Sequence, residues 1–262
     1  MSTLVTDPAP AGPAVPSAAS RALRYALHTT RITATNVMFM LFTIILPVGM
    51  YLLFGALIGD LSDGQVRGLI MVNMAAYGGL GAAVTAGTQI QEDQRNGFLR
   101  QLIVAGLSPS SFLTGSLMAA SAVIVPALVT VGLVGVLTGV EASPLNFLVT
   151  MVVLWLGLLP TILIGLVLGL LLKGGAAMAA GIVVMMAMAI FGGLWMPLET
   201  FPAWMQDLGQ GLPTYWIGRL GAWALYGGEL PLTGLLVIGL WTLVLGTICA
   251  LSLTRAVGLK RR

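Results

Sequence analysis

The chain has 262 residues, of which 58% are hydrophobic and only 8% charged, with a net charge of +3. Soluble domains carry about 25% charged residues, so this composition excludes a soluble catalytic domain and indicates an integral membrane protein with no nucleic-acid partner. A single cysteine, Cys249, excludes an intrachain disulfide and any thiol metal cluster built from this chain alone.

Residues 1–20 contain four prolines, one acidic residue and no periodicity, which predicts a disordered cytoplasmic tail. A secretory signal would place basic residues before a short apolar core and a cleavage site. The first long apolar run instead starts near Asn36 without such a site, so targeting is expected to rest on the first span. From Ser20 to Thr35, Leu23, Leu27 and Ile32 stand among Arg21, Arg24 and Arg31, the pattern of a basic amphipathic helix on the cytoplasmic surface. His28 has no second histidine and no carboxylate nearby, so it reads as part of that surface helix rather than as a catalytic or metal-binding group.

Six apolar runs follow, at about 37–58, 68–90, 112–137, 147–172, 176–196 and 232–253, each able to cross a bilayer as a helix. The predicted fold is an all-α integral membrane protein with a six-span domain over 21–254 and a basic cytoplasmic tail at 255–262. Small residues at four-residue spacing, Gly79, Ala83 and Gly87 in the second run and Gly165 and Gly169 in the fourth, permit close helix contact. Packing within the chain is the expected use, and a subunit interface the alternative. Pro126 and Pro160 each remove a hydrogen bond inside a span and can kink it.

Between the second and third runs, charges of both signs crowd together. Glu92, Asp93 and Arg95 precede a turn at Asn96-Gly97. Phe98, Leu99, Leu102, Ile103 and Gly106 then recur at helical spacing, with Arg100 and Gln101 opposite, which predicts a short amphipathic helix. Ser108 and Pro109 suit the N-cap and first position of the next helix.

The fifth run carries Met178, Met185, Met186, Met188 and Met196. Such a stripe is more often packing than a substrate-contacting surface, but Met185 and Met188, with Thr85 in the second run, are candidate pathway residues. After it, Pro197, Pro202 and Pro213 break any continuous helix. Trp195, Trp204, Tyr215, Trp216, Trp223 and Tyr226 are aromatics of the kind that settle at headgroup level. Residues 201–212 are expected to form a short interfacial helix with Asp207 and Gln210 toward water, and the whole stretch could close the outer end of a pathway.

With these spans, Arg21, Arg24, Arg31, Arg95, Arg100, Lys173, Arg255, Lys260, Arg261 and Arg262 fall on one side and only Arg67 and Arg219 on the other. Basic residues in short loops are retained in the cytoplasm, so a multi-pass protein of the cell membrane with both termini cytoplasmic is expected. The runs hold almost no ionisable residue, whereas ion-coupled carriers use intramembrane charges, so the energy for any transport must come from elsewhere.

The sequence resembles the membrane subunits of type-2 ABC exporters, the permeases of bacterial drug, lipid and polysaccharide export systems. The resemblance covers nearly the whole chain after the tail. Gly193, Pro197, Pro202, Trp204, Pro213 and Tyr215 match the family's glycine and three-proline pattern before the last span. Glu92, Arg95, Gly97, Leu99, Arg100 and Leu102 match its acidic, basic, glycine and leucine pattern before the third span, although Gly106 stands where proline is common. The resemblance implies that the helix carrying these residues and Phe98 is a coupling helix that docks on an ATPase. It also implies a connecting helix at 20–35, re-entrant helices between spans five and six, a pathway lined by the second and fifth spans, and a dimer with a second copy or a related permease.

No phosphate-binding loop is present, and Lys173-Gly174-Gly175 is only a tight turn. ATP and magnesium are therefore expected on a separate ATPase, with no cofactor or metal held here. An apolar or amphipathic compound, an antibiotic or other drug first, is the expected cargo; lipid comes next, and polysaccharide is disfavoured because the spans are poor in polar groups. An ATPase-independent carrier is the weaker alternative. An intramembrane enzyme is weaker still, because Ser116, Ser121 and Thr161 have no histidine or lysine beside them.

Overall fold

The computed structural model describes residues 18–58, 64–96, 101, 108–172 and 175–258, and every regular element among them is helical. Helix α1 (Ala18–Ala34) lies against α5 (Pro109–Leu137). It is seated by Tyr25 on Phe112, with ring centroids 5.3 Å apart. The buried face of α1 is Tyr25, Ala26 and Thr33, whereas Leu23, Leu27 and Ile32 are exposed. Leu23, Leu27 and Ile32 are thus left free of the bundle, whose contact with α1 is made through Tyr25, Ala26 and Thr33. His28 is exposed on the same outward side.

Asn36 caps the next helix by accepting from Phe39 N–H at 3.2 Å. The first apolar run is a chain of α2 (Val37–Met40), a π-helical turn (Leu41–Ile45) and α3 (Leu46–Ile58). In the π turn Leu46 N–H reaches back to Leu41 O, so one extra residue is fitted into the coil. That widened turn presses on Gly78 of α4 (Gly64–Arg95), where an added Cβ would stand 2.8 Å from Thr43 O and 3.2 Å from Pro47.

Helix α4 is the axis of the bundle. It touches α3, α5, α7 (Leu159–Leu171), α8 (Ala176–Phe191) and α10 (Pro213–Tyr226). Of its apolar window 78% is buried, against 17% for α11 (Leu232–Gly258) at the periphery. The core is built on it by Met71, Met74 and Leu80 from α4, Ile124 and Leu128 from α5, and Leu154, Leu158 and Ile162 from α6 (Pro144–Gly157), α7 and the joint between them. A Cβ on Gly79 would land on Leu158, and Ala83, Gly165 and Gly169 are buried, so these small residues serve packing within the chain.

Ser108 caps α5 through Ser111 N–H at 3.1 Å with Pro109 in the first turn, as the sequence predicts. Pro126 lies inside α5 without ending it, whereas the fourth run breaks at Leu158 between α6 and α7, and Pro160 occupies the first turn of the second piece.

Four helical segments among the described residues are long and apolar enough to cross a membrane: Gly64–Thr85, Ser111–Leu137, Pro144–Leu171 and Leu232–Ser252. Two apolar helices, Leu41–Leu57 and Ala176–Phe191, are shorter. At 1.5 Å per residue they reach about 25 Å, less than a hydrocarbon core of roughly 30 Å.

The close approach at Gly78 yields the first prediction. Gly78→Ala is expected to force the π turn away from α4 and lower stability by about 1–3 kcal/mol. Gly239→Ala, on α11 with nothing within 4 Å, is expected to leave stability unchanged or slightly raised. Thermal unfolding of the full chain in lipid nanodiscs measures both.

Candidate functional site

The strongest constellation joins the end of α8 to the residues that follow it. Helix α8 stops because Gly193, with φ +70°, takes the left-handed conformation that glycine adopts without strain. Leu194 N–H then bonds Ala189 O at 3.0 Å and Gly193 N–H bonds Ile190 O at 3.1 Å, the paired bonds of a Schellman turn. The fifth apolar run therefore leaves its helix at Phe191 rather than at Met196, and Leu194 folds back to become buried. A single 3-10 turn, Leu198–Thr200, and α9 (Ala203–Gln210) follow.

Each proline and glycine of the pattern has a definite place. Pro197 and Pro202 are the residues before the 3-10 turn and before α9, and both are exposed. Pro213 opens α10 and is buried. Trp204 is exposed, its ring centroid 6.5 Å from that of Phe191. Tyr215 packs edge-on to Trp216 at 5.0 Å and carries the Arg219 guanidinium 6.0 Å above its ring. Asp207 and Gln210 on α9 are exposed, and Gly209 is buried so closely that a Cβ there would collide with Phe191 O.

Side chains satisfy the carbonyls of this irregular backbone. Buried Thr214 Oγ1 donates to Met188 O at 2.8 Å, and it fills the space where a Cβ on Gly192 would be. Trp216 Nε1 donates to Gln210 O at 2.7 Å, Trp241 Nε1 to Gly211 O at 2.9 Å and Gln206 Nε2 to Phe201 O at 2.8 Å. From α4, Asn73 Nδ2 approaches Gly193 O at 3.5 Å, and Tyr77 meets Trp195 edge-on at 5.5 Å. At the far end of α10, Tyr226 donates to Gly64 O and Gln65 O at 3.2 Å each, and Asn146 Nδ2 donates to Leu225 O at 3.1 Å. Burial pushes the Tyr226 phenol above its ordinary value, so it keeps its proton and remains a donor.

The remaining candidates fall elsewhere. Met185 and Met188 are buried, and Thr85 Oγ1 is bonded to Gly81 O at 3.0 Å on its own helix. Of the coupling segment, Gly97, Phe98, Leu99, Arg100 and Leu102 lie outside the described residues; Glu92 and Arg95 are described only as backbone at the end of α4, which stops at Arg95 before Asn96. Sequence reasoning missed Asn73 and Thr214. An amide set among apolar residues in the second run is a signal that finds Asn73, whereas nothing separates Thr214 from the other threonines of the spans before the backbone is folded.

The turn yields the second prediction. A Cβ on Gly193 has room, its nearest neighbours being 3.4 Å away, so Gly193→Ala acts through φ alone and is expected to cost about 1–2 kcal/mol, with Gly193→Asn recovering part of it. Thr214→Val, which strands Met188 O with one donor fewer, is expected to cost about 1 kcal/mol. Protease accessibility of the segment 194–212 in reconstituted protein should rise in the same order.

The sequence is similar to those of known transport proteins. The family model described as "ABC-2 type transporter" matches residues 27–226. A relative from Bacillus subtilis (strain 168) named "Putative transport permease YvfS" is 26% identical over 200 residues, covering 75% of this chain and 81% of its own length. The family match runs from within α1 through the whole of α10, taking in α4 and the capped turn at Gly193, and the chain belongs to the ABC-2 type transporter family.

Proposed function

We propose that this ABC transporter membrane subunit is the permease through which a separate ATPase drives the export of an apolar or amphipathic compound, a drug or antibiotic first. The observation that supports this most is the continuity of α4. Its 32 residues run unbroken from Gly64 to Arg95, about 48 Å at 1.5 Å per residue against a hydrocarbon core of roughly 30 Å. Its first half touches the turn at Gly193 through Asn73 and Tyr77, and its first residues, Gly64 and Gln65, meet Tyr226 of α10. Its last turn delivers the chain to the charged segment around Glu92, Arg95 and Arg100. A stiff helix of that length transmits a push at its hydrophilic end to its far end, which is what a coupling element requires.

In this reading the two shorter apolar helices complete six crossings, both termini are cytoplasmic, and ATP with magnesium sits on the partner. A second permease copy or a related chain completes the pathway, with Thr85, Met185 and Met188 near it. Pro197, Pro202, Trp204, Pro213 and Tyr215 frame the outer closure. Nucleotide-driven closure of the ATPases supplies the differential energy between two states of the bundle.

Three measurements test it. An impermeant maleimide is expected to label Gln94→Cys only after cells are opened, the native Cys249 being buried; labelling in intact cells reverses the topology. Arg100→Glu or Glu92→Lys is expected to reduce coupled ATPase activity about tenfold, the effect of ~1.4 kcal/mol at an interface, with unfolding temperature unchanged. In vesicles holding permease and ATPase, ATP-dependent movement of lipophilic drugs but not of sugar polymer is expected; the opposite result overturns the cargo.

A further inference from the structure

Helix α1 uses only part of its circumference to dock on α5, through Tyr25, Ala26 and Thr33. Arg24, His28 and Arg31, spaced by four and three residues, share one exposed edge of the helix. Leu23 and Leu27, 46% and 63% exposed, line the edge beside it, and Ile32, 47% exposed, flanks the basic edge on its other side. Cations and apolar side chains therefore lie next to one another on the part of α1 that the bundle does not cover.

Neither edge is answered from within the chain. No acidic residue stands between Asp7 and Asp60, and α5, on which α1 packs, has no charged residue at all. Among the described residues Arg24 and Arg31 make no ion pair. The position of α1 along the bundle says what surrounds these edges. Tyr25, between Leu23 and Leu27 in the sequence, packs on Phe112, and the apolar span of α5 starts one residue earlier, at Ser111. Only Thr35 and Asn36 separate α1 from α2, where the first apolar run begins with Val37, 78% exposed. Leu23 and Leu27 thus stand where the hydrocarbon of one leaflet gives way to headgroups, with the arginines beside them.

We propose that this side of α1 is a binding surface for anionic phospholipid in the leaflet where α5 begins, with Leu23 and Leu27 against the acyl chains and Arg24 and Arg31 on headgroup phosphates. The guanidinium fork matches phosphate oxygens, and its aliphatic stem can lie along the same apolar layer as the leucines. Net charge selects the lipid. A phosphatidylcholine headgroup carries its own ammonium, whereas an anionic headgroup leaves a negative charge for two guanidiniums that have no counter-ion in their own chain. A protein partner would have to be acidic and apolar side by side at the membrane boundary, which is what an anionic leaflet already is. The proposal goes beyond the export reading and does not depend on it, since the surface needs neither ATPase nor cargo.

The test uses two lipids with the same acyl chains. The full chain, with an environment-sensitive fluorophore on a Leu27→Cys variant and the native Cys249 buried, is held in neutral maltoside micelles and titrated with dioleoylphosphatidylglycerol or dioleoylphosphatidylcholine. The emission is expected to move to the blue at a mole fraction of the anionic lipid about 25-fold lower, fivefold for each arginine, the equivalent of ~1 kcal/mol per basic residue at an anionic surface. Arg24→Gln and Arg31→Gln should each raise the phosphatidylglycerol midpoint about fivefold, and leave the phosphatidylcholine midpoint and the lipid-free unfolding temperature unchanged. Sodium chloride at about 0.5 M should narrow the gap between the lipids. Leu23→Ser should weaken both lipids alike and keep the preference. Equal midpoints for the two lipids, arginine variants that respond as the parent does, or a lower lipid-free unfolding temperature in either of them overturns the surface. So does a blue shift that appears only when the ATPase is added, which assigns the leucines to a protein partner.

Discussion

In hydrocarbon a backbone N–H or C=O without a partner costs several kcal/mol, which is why only helices and closed barrels cross membranes unaided. The stretch after α8 leaves the helix immediately after an apolar helix of 16 residues, and it is viable only because neighbouring elements supply the missing bonds. Gly193 closes the helix on itself, Thr214 reaches Met188 O, and the indoles of Trp216 and Trp241 reach Gln210 O and Gly211 O. The donors come from α10 and α11, so these helices are held to the turn by backbone satisfaction as well as by apolar packing. Tryptophan suits the task because a large apolar ring and a single donor can be buried together.

A second constraint is the closeness of helix axes around α4. The hydrophobic effect does not drive helices together within lipid, so association rests on packing. Glycine or alanine at positions 75, 76, 78, 79, 81, 82 and 83 lets α3 with its π turn, α5, α7 and α8 approach the same cylinder. The π turn is the complement of that smooth surface: its extra residue brings Thr43 O against Gly78, which would collide with any larger side chain.

Much of this was legible in the residues. The helical class, the start of α5 at Ser108-Pro109, the short helix at Ala203–Gln210 and the break near Pro160 follow from composition, capping chemistry and proline. Three features were not. Apolarity continues to Met196, but Gly192-Gly193 ends the helix earlier, because a Schellman turn buries Leu194 as well as a longer helix would. The docking of α1 on α5 carries no mark in its amphipathic pattern, because Tyr25 and Phe112 make the contact rather than the leucines. The π turn within LFTII carries no compositional mark, since its origin is the shape of α4 rather than its own propensities.

The strengths of the bonds matter as much as their places. Those that hold the turn after α8 join neutral donors to carbonyls, each with a net contribution of about 0.5–1.5 kcal/mol, and among the described residues no buried charge takes part. Five such bonds, from Thr214, Trp216, Trp241, Gln206 and Asn73, amount to a few kcal/mol. That is the scale of the gap between two states that a ligand or a nucleotide-driven partner can tip. Buried ion pairs would have set a steeper cost, because separating them strands a charge in a low-dielectric interior. With neutral groups alone among the described residues at its core, the turn after α8 is therefore held by bonds of modest individual strength, without the steep cost that a buried ion pair would add.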